Sequence, residues 1–133
     1  MTQDRILNGK LECMYDFKYD ILTFKVKNQN YKISIEFQNL VIDINENDFI
    51  TGIRLMDASK MFGVSKYILK NIKSAGFKAS IEKNMVHITL KFITTMRNKT
   101  ITLPSEKQNF LQQLTALIGE KYHLSDSVVE CEI

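Results

Sequence analysis

Tryptophan is absent from this chain, proline occurs once, glycine five times and cysteine twice. Each scarcity closes off a class of function. Five glycines and one proline among 133 residues leave little flexible loop on which an active site could be carried. Neither a glycine-rich phosphate loop nor a G-x-S-x-G elbow is present, so the chain is read as non-enzymatic and no cofactor is expected. Cys13 and Cys131 stand near opposite ends without a neighbouring cysteine or histidine, so spacing gives neither a disulfide framework nor a metal site. They are expected to be reduced thiols on terminal strands. No apolar stretch approaches the roughly 20 residues that span a bilayer, and no basic start leads into an apolar run. A soluble, cytoplasmic protein with no membrane partner is expected. The 44% hydrophobic content can close one core at this length, and residues 1–133 are read as a single domain.

What is present is mostly alternation. Tyr31, Ile33, Ile35 and Phe37 alternate with Lys32, Ser34, Glu36 and Gln38, a period of two that puts four large apolar groups on one face of a strand. Strand-length segments at 21–26, 40–45 and 49–56 flank it, separated by the Asn-rich breakers at 27–30 and 45–48. Such short connections favour antiparallel neighbours. A second hairpin region follows: Phe77, Ala79 and Ile81 alternate before Lys83-Asn84, and Val86, Ile88, Leu90 and Phe92 alternate before Arg97-Asn98-Lys99 turns the chain into 100–103. Residues 128–133 read as a closing strand. Ser105 and Gln108 fit a capping box behind Pro104, and Phe110, Leu111, Leu114, Leu117 and Ile118 share a helical stripe that ends at Gly119. A helix is expected over 106–118. The fold class expected is therefore α+β: an antiparallel meander, short central helices, a second hairpin region and a C-terminal helix.

The middle of the chain is helical in pattern. Asp57 can cap a short helix over 58–62 that Gly63 breaks, and Ser65 can cap a second over 66–74 that stops at Gly76. The stretch 59–65 with Ile68, Leu69 and Ile72 also resembles a DNA-binding helix-turn-helix, which needs a supporting helix upstream. That need sets the discriminator, since 49–56 reads as strand. The charge here is lopsided: Arg54, Lys60, Lys66, Lys70, Lys73 and Lys78 face the single acid Asp57, whereas the whole chain carries only +3. Lys66, Lys70 and Lys73 at helical spacing can line a face opposite an apolar Tyr67, Ile68 and Ile72 stripe. Those six cations are the candidate binding residues, for an acidic protein or a nucleic acid. No aromatic-interleaved RNA-binding signature accompanies them in the sequence. Exposed sheet edges, with no proline inside the strands, also predict self-association.

Other motifs are weaker. Asp43-x-Asn45-x-Asn47 opens like a calcium loop and Ile50 fits its aliphatic position, but Asp48 stands at position six and Arg54 at position twelve, where glycine and a bidentate glutamate belong. A polar hairpin turn is the better account, and no metal is expected. His87 falls on the polar side of its strand and His123 in a loop, both read as surface histidines. Asp16 and Asp20 flank Phe17-Lys18-Tyr19 and could act as a carboxylate pair.

Tyr15-Asp16, Asp20-Ile21-Leu22, Ser34-Ile35-Glu36, the run from Val41 to Asp48, Gly52-Ile53 and Asp57-Ala58-Ser59-Lys60 together resemble the small prokaryotic family known as domain of unknown function 2283. The resemblance covers residues 15–60, and 61–133 form an extension expected to pack on it. It implies a compact β-meander ending in a short helix, and it implies no activity and no catalytic residues. In that family the turn usually reads glycine where this chain has Asp48. Some short members look like the second partner of toxin–antitoxin pairs, so an antitoxin-like partner of a small toxin is an alternative to the interaction module.

Overall fold

Period-two alternation lays down nine strands in the structure, a computed structural model that describes residues 6–37, 39–82, 85–96, 99–103 and 126–132. They are β1 (Ile6–Asp16), β2 (Ile21–Val26), β3 (Tyr31–Phe37), β4 (Leu40–Asn45), β5 (Ile50–Leu55), β6 (Ile72–Glu82), β7 (Met85–Met96), β8 (Lys99–Leu103) and β9 (Ser127–Glu132). Between β5 and β6 lie α1 (Ala58–Phe62) and α2 (Lys66–Lys70). All nine strands join one sheet in the order β3-β4-β5-β2-β1-β9-β6-β7-β8. The β1–β9 pair is parallel and the other pairs are antiparallel.

The α+β class expected from the sequence is corrected to a mostly β one. Among the described residues, helix is confined to two pieces of five residues each. The second piece is shorter than expected because inward alternation through Ala75, Phe77, Ala79 and Ile81 draws the chain into β6 from Ile72. Lys73 and Gly76, read as the helix tail and its stop, are therefore strand residues. The helix expected over 106–118, the turns at Lys83-Asn84 and Arg97-Asn98, and His123 lie outside the described residues.

β1 joins the two flanks of the sheet by changing partners. Its residues 6–10 pair with β9 and its residues 11–16 with β2. Gly9 makes the close approach feasible, since a Cβ there would stand 2.9 Å from Val26 Cγ1. The sheet then curls until its inner faces meet: Phe24 of β2 lies 5.9 Å from Phe92 of β7, centroid to centroid, although four strand steps separate them in the order. Phe62 of α1 meets the same Phe92 ring edge-on at 5.2 Å. One hydrophobic cluster thus takes Leu22, Phe24, Ile42, Ile53 and Leu55 from one flank, Phe77, Leu90, Phe92 and Val129 from the other, and Phe62 and Leu69 from the helices. No helix among the described residues is long and apolar enough to cross a membrane.

Candidate interaction surface

The turn at 16–20, between β1 and β2, is held from both sides. Asp20 adopts a left-handed backbone, φ 58°, which Asp tolerates better than most residues. Its buried carboxylate accepts from Tyr15 Oη at 2.6 Å and from the Ser59 backbone N–H at 3.0 Å on Oδ1, and from Ser59 Oγ at 2.6 Å on Oδ2. Its carbonyl accepts from the Ala58 N–H at 3.0 Å. Asp20 therefore caps α1 across the chain. Asp57, the cap expected from sequence, sits at φ 51° and makes no side-chain cap bond, and Ser65 makes none on α2. Burial raises the proton affinity of Asp20, but the Ser59 and Tyr15 hydrogen bonds outweigh it and hold the carboxyl below its ordinary pKa. Burial and the Asp20 carboxylate in turn push the Tyr15 phenol well up. Asp16 stays outside this cluster and accepts from the Tyr19 N–H at 3.0 Å, so the two carboxylates do not act as a pair.

With the turn fixed, its side chains reach α2. Lys66 Nζ donates to the Phe17 carbonyl at 3.2 Å and stands 5.5 Å from the Phe17 ring centroid. Lys70 Nζ stands 5.3 Å from the same centroid. The Tyr67 ring is 5.4 Å from Phe17, tilted by 57°, and Tyr15 meets Phe17 edge-on at 6.5 Å. Lys18 lies over Tyr19 at 5.2 Å. Tyr19 and Tyr67 are 64% and 62% exposed; Tyr67, Lys66 and Lys70 meet at Phe17, and Lys18 and Tyr19 follow it in the same turn. Each exposed cation–π contact contributes about 0.5–1 kcal/mol, enough to bias the lysines over the rings without burying them.

The six cations expected from sequence are not gathered in one place. Lys66 and Lys70 converge on Phe17. Lys60 is exposed on α1, and Lys73 and Lys78 are exposed on β6 rather than on a helix face. Lys78 is the register partner of Glu130 on β9. Arg54 of β5 is committed elsewhere, donating to Asp43 Oδ1 at 3.1 Å and Ser34 Oγ at 3.3 Å. Phe17, Lys18 and Tyr19 were not picked out from sequence as binding residues, and Tyr67, read as part of the core stripe, points to solvent. The signal was limited to three exposed-type residues in a row between Asp16 and Asp20, because the contact to α2 spans 49 positions.

The calcium-like segment is a turn. Asn45 Oδ1 accepts from the Asn47 and Phe49 N–H groups at 3.0 and 2.9 Å, and Asp43 is held by Arg54 and by Ser34 Oγ at 2.6 Å. Two of the three side chains of that pattern, Asp43 and Asn45, are thus engaged within the protein. The upstream segment proves to be strand β5, which removes the support a helix-turn-helix requires. His87 is exposed on β7. Cys13 lies on β1 and Cys131 on β9 as free thiols; burial pushes Cys13 up to about 12 and raises Cys131 as well.

The family described as "Protein of unknown function (DUF2283)" matches residues 14–59, the segment that runs from the end of β1 to the Ser59 contact with Asp20. The chain belongs to this family. Likeness to two curated proteins runs further. The chain is 33% identical over 87 residues to a protein of Methanosarcina mazei named "Putative hypoxanthine phosphoribosyltransferase", covering 65% of this chain and 71% of that one. It is 30% identical over 93 residues to an uncharacterized protein of Methanocaldococcus jannaschii, covering 69% and 80%. Both alignments are longer than the family match, so the extension is in part shared. No solved structure matches the chain.

Proposed function

We propose that the protein is a non-catalytic, cytoplasmic interaction module that meets an acidic partner on the surface built by residues 16–20 and α2. The observation that carries this reading is the convergence of Lys66 and Lys70 on Phe17 beside the exposed Tyr67. Cys13 and Cys131 are free thiols, the form expected in a reducing compartment.

The name of the Methanosarcina mazei relative would suggest phosphoribosyl transfer instead. Three glycines of this chain, Gly9, Gly52 and Gly76, lie inside strands and Gly63 ends α1 at φ 65°, so the described glycines form no phosphate cradle. That placement supports the non-catalytic reading. A second copy is a further partner of this module. β3 ends the sheet order with Tyr31 and Ile33 exposed, an open edge suited to strand pairing.

The test is binding to immobilised heparin and to poly-glutamate at low salt, for the wild type and for Lys66→Glu/Lys70→Glu. The expected result is retention that falls steeply with salt and drops at least tenfold in the double variant. Wild-type protein that binds neither polyanion would leave the lysines as a solvated face. Light scattering that finds a monomer at high micromolar concentration would remove the second copy.

A further inference from the structure

The surface just described mixes two chemistries that a purely acidic protein partner would not use together. Phosphates or carboxylates satisfy Lys18, Lys66 and Lys70. The exposed faces of Tyr67 and Tyr19, 62% and 64% accessible, match something flat. Unpaired nucleobases are flat, and they come linked by phosphates, so a strand can stack on the rings while its backbone meets the neighbouring ammonium groups.

A duplex fits poorly, because its bases are already stacked and its major groove is read by a longer element. α2 has five residues, a length of roughly 7.5 Å at about 1.5 Å per residue, and β5 precedes the helices where a supporting helix would be needed. We infer that the partner of the residue 16–20 and α2 surface is single-stranded nucleic acid, with Tyr67 and Tyr19 as stacking platforms and Lys18, Lys66 and Lys70 as phosphate contacts. This rests on the acidic-partner reading above and narrows it.

The cations of the surface are already oriented. Lys66 is tied to the Phe17 carbonyl at 3.2 Å and, with Lys70, held over the Phe17 ring, so less side-chain freedom is lost when a phosphate arrives. Phe17, itself 38% exposed, positions Lys66 and Lys70, while the two tyrosines each keep more than half of their surface exposed. The strand contacted is short, a few nucleotides, because the surface comprises one turn and one and a half helical turns.

Fluorescence anisotropy with a labelled twelve-nucleotide oligothymidine, the matching oligouridine and a duplex of the same length tests this. Heparin and poly-glutamate serve as polyanions without bases. Expected are single strands bound at least tenfold more tightly than the duplex, and a log–log salt slope of about −2 for three phosphate contacts on a single strand. Tyr67→Ala should weaken single-strand binding about tenfold, as loss of one stacking contact does, and leave heparin binding unchanged, while Tyr67→Phe retains the affinity. Tyr19→Ala provides an independent second readout, and circular dichroism checks that each variant is folded. Lysine-dependent binding of heparin or poly-glutamate that exceeds single-strand binding and ignores Tyr67→Ala and Tyr19→Ala would overturn this inference and leave the acidic-partner reading standing. Duplex bound as tightly as single strands would overturn it also, and failure of every polyanion to bind overturns both.

Discussion

The β4–β5 and β6–β7 hairpins are both antiparallel and both contribute large apolar side chains to the shared core, yet they are specified differently. In β4–β5, burial is almost continuous on both strands. What fixes register there is polar: Asn45 closes the turn through two backbone N–H groups, Asp43 binds Arg54 and Ser34, and the ladder shifts between Asp43 and Ile44. In β6, buried and exposed positions alternate from Ala75 onward, and an unbroken ladder runs from Ser74↔Ile93 to Glu82↔Met85. Its described side-chain anchor is Thr94 Oγ1, which donates within the α2 region to the Ile68 and Asn71 carbonyls at 2.6 and 3.0 Å. Side-chain hydrogen bonds therefore shape the family segment, and hydrophobic alternation shapes the rest.

The strongest way to break this contrast is to show that the two flanks stand or fall together. Phe92 belongs to β7, but its fully buried ring touches Phe24 of the family segment and Phe62 of α1 just beyond it. Phe92→Ala should cost about 3–5 kcal/mol and lower the urea midpoint of the whole protein in a single transition. Two separated transitions would mean that the flanks are independent units and that the ring contact couples nothing.

Asp20→Ala sharpens the contrast from the polar side. Removing the carboxylate leaves Tyr15 Oη, Ser59 Oγ and the Ser59 N–H without their acceptor, at a cost of about 3 kcal/mol. The pH dependence has a definite sign. The folded pKa of Asp20 is lowered, so its contribution is complete above the unfolded carboxylate value of about 4 and is lost as pH falls through the lower folded value. Urea midpoints measured from pH 6 down to pH 3 should fall more steeply for the wild type than for Asp20→Asn. Parallel curves would remove Asp20 from the acid sensitivity. Because Phe17 and Tyr19 ride on the same turn, Asp20→Ala should also weaken polyanion binding.

Strands β2 to β5 were legible nearly to the residue because short apolar-rich segments and Asn- or Asp-rich turns coincide there, and the described non-glycine left-handed positions Asp20, Asn28, Asp48 and Asp57 are all of that type. β1 was obscured by one gap. Leu7, Leu11, Cys13 and Tyr15 keep its inward parity, but Gly9 interrupts the stripe where Val26 comes close. The tail of α2 was misread because Lys66, Lys70 and Lys73 suit a helix as well as a coil leading to a strand, and the sheet decided between them. The binding surface was half legible. Its lysines stood out by local charge, whereas their rings arrive by folding, since Asp20 meets Ser59 across 39 positions and no local pattern encodes that.

The finest test concerns Asp48, where the family resemblance leads to an expectation of glycine. Asp48 sits at φ 63° in the turn where its N–H donates to the Asn45 carbonyl at 3.1 Å. Left-handed backbone costs most L-residues roughly 1–2 kcal/mol, and Asp less, so glycine relieves strain there. Against that stand the added freedom of an unfolded glycine, about 0.4–1 kcal/mol, and loss of the Lys32–Asp48 pair. That pair is short, 2.8 Å, but its side chains are 52% and 33% exposed, and exposed pairs contribute about 0.2–1 kcal/mol. The terms nearly cancel, so Asp48→Gly alone should leave stability within about 0.5 kcal/mol of the wild type. In a Lys32→Ala background the ion-pair loss disappears, and the same substitution should then stabilise by about 0.5 kcal/mol, read from urea midpoints of the four-member cycle. Destabilisation in that background would show that the Asp48 carboxylate supports the turn itself, and that the polar specification of this hairpin extends beyond Asn45 to Asp48.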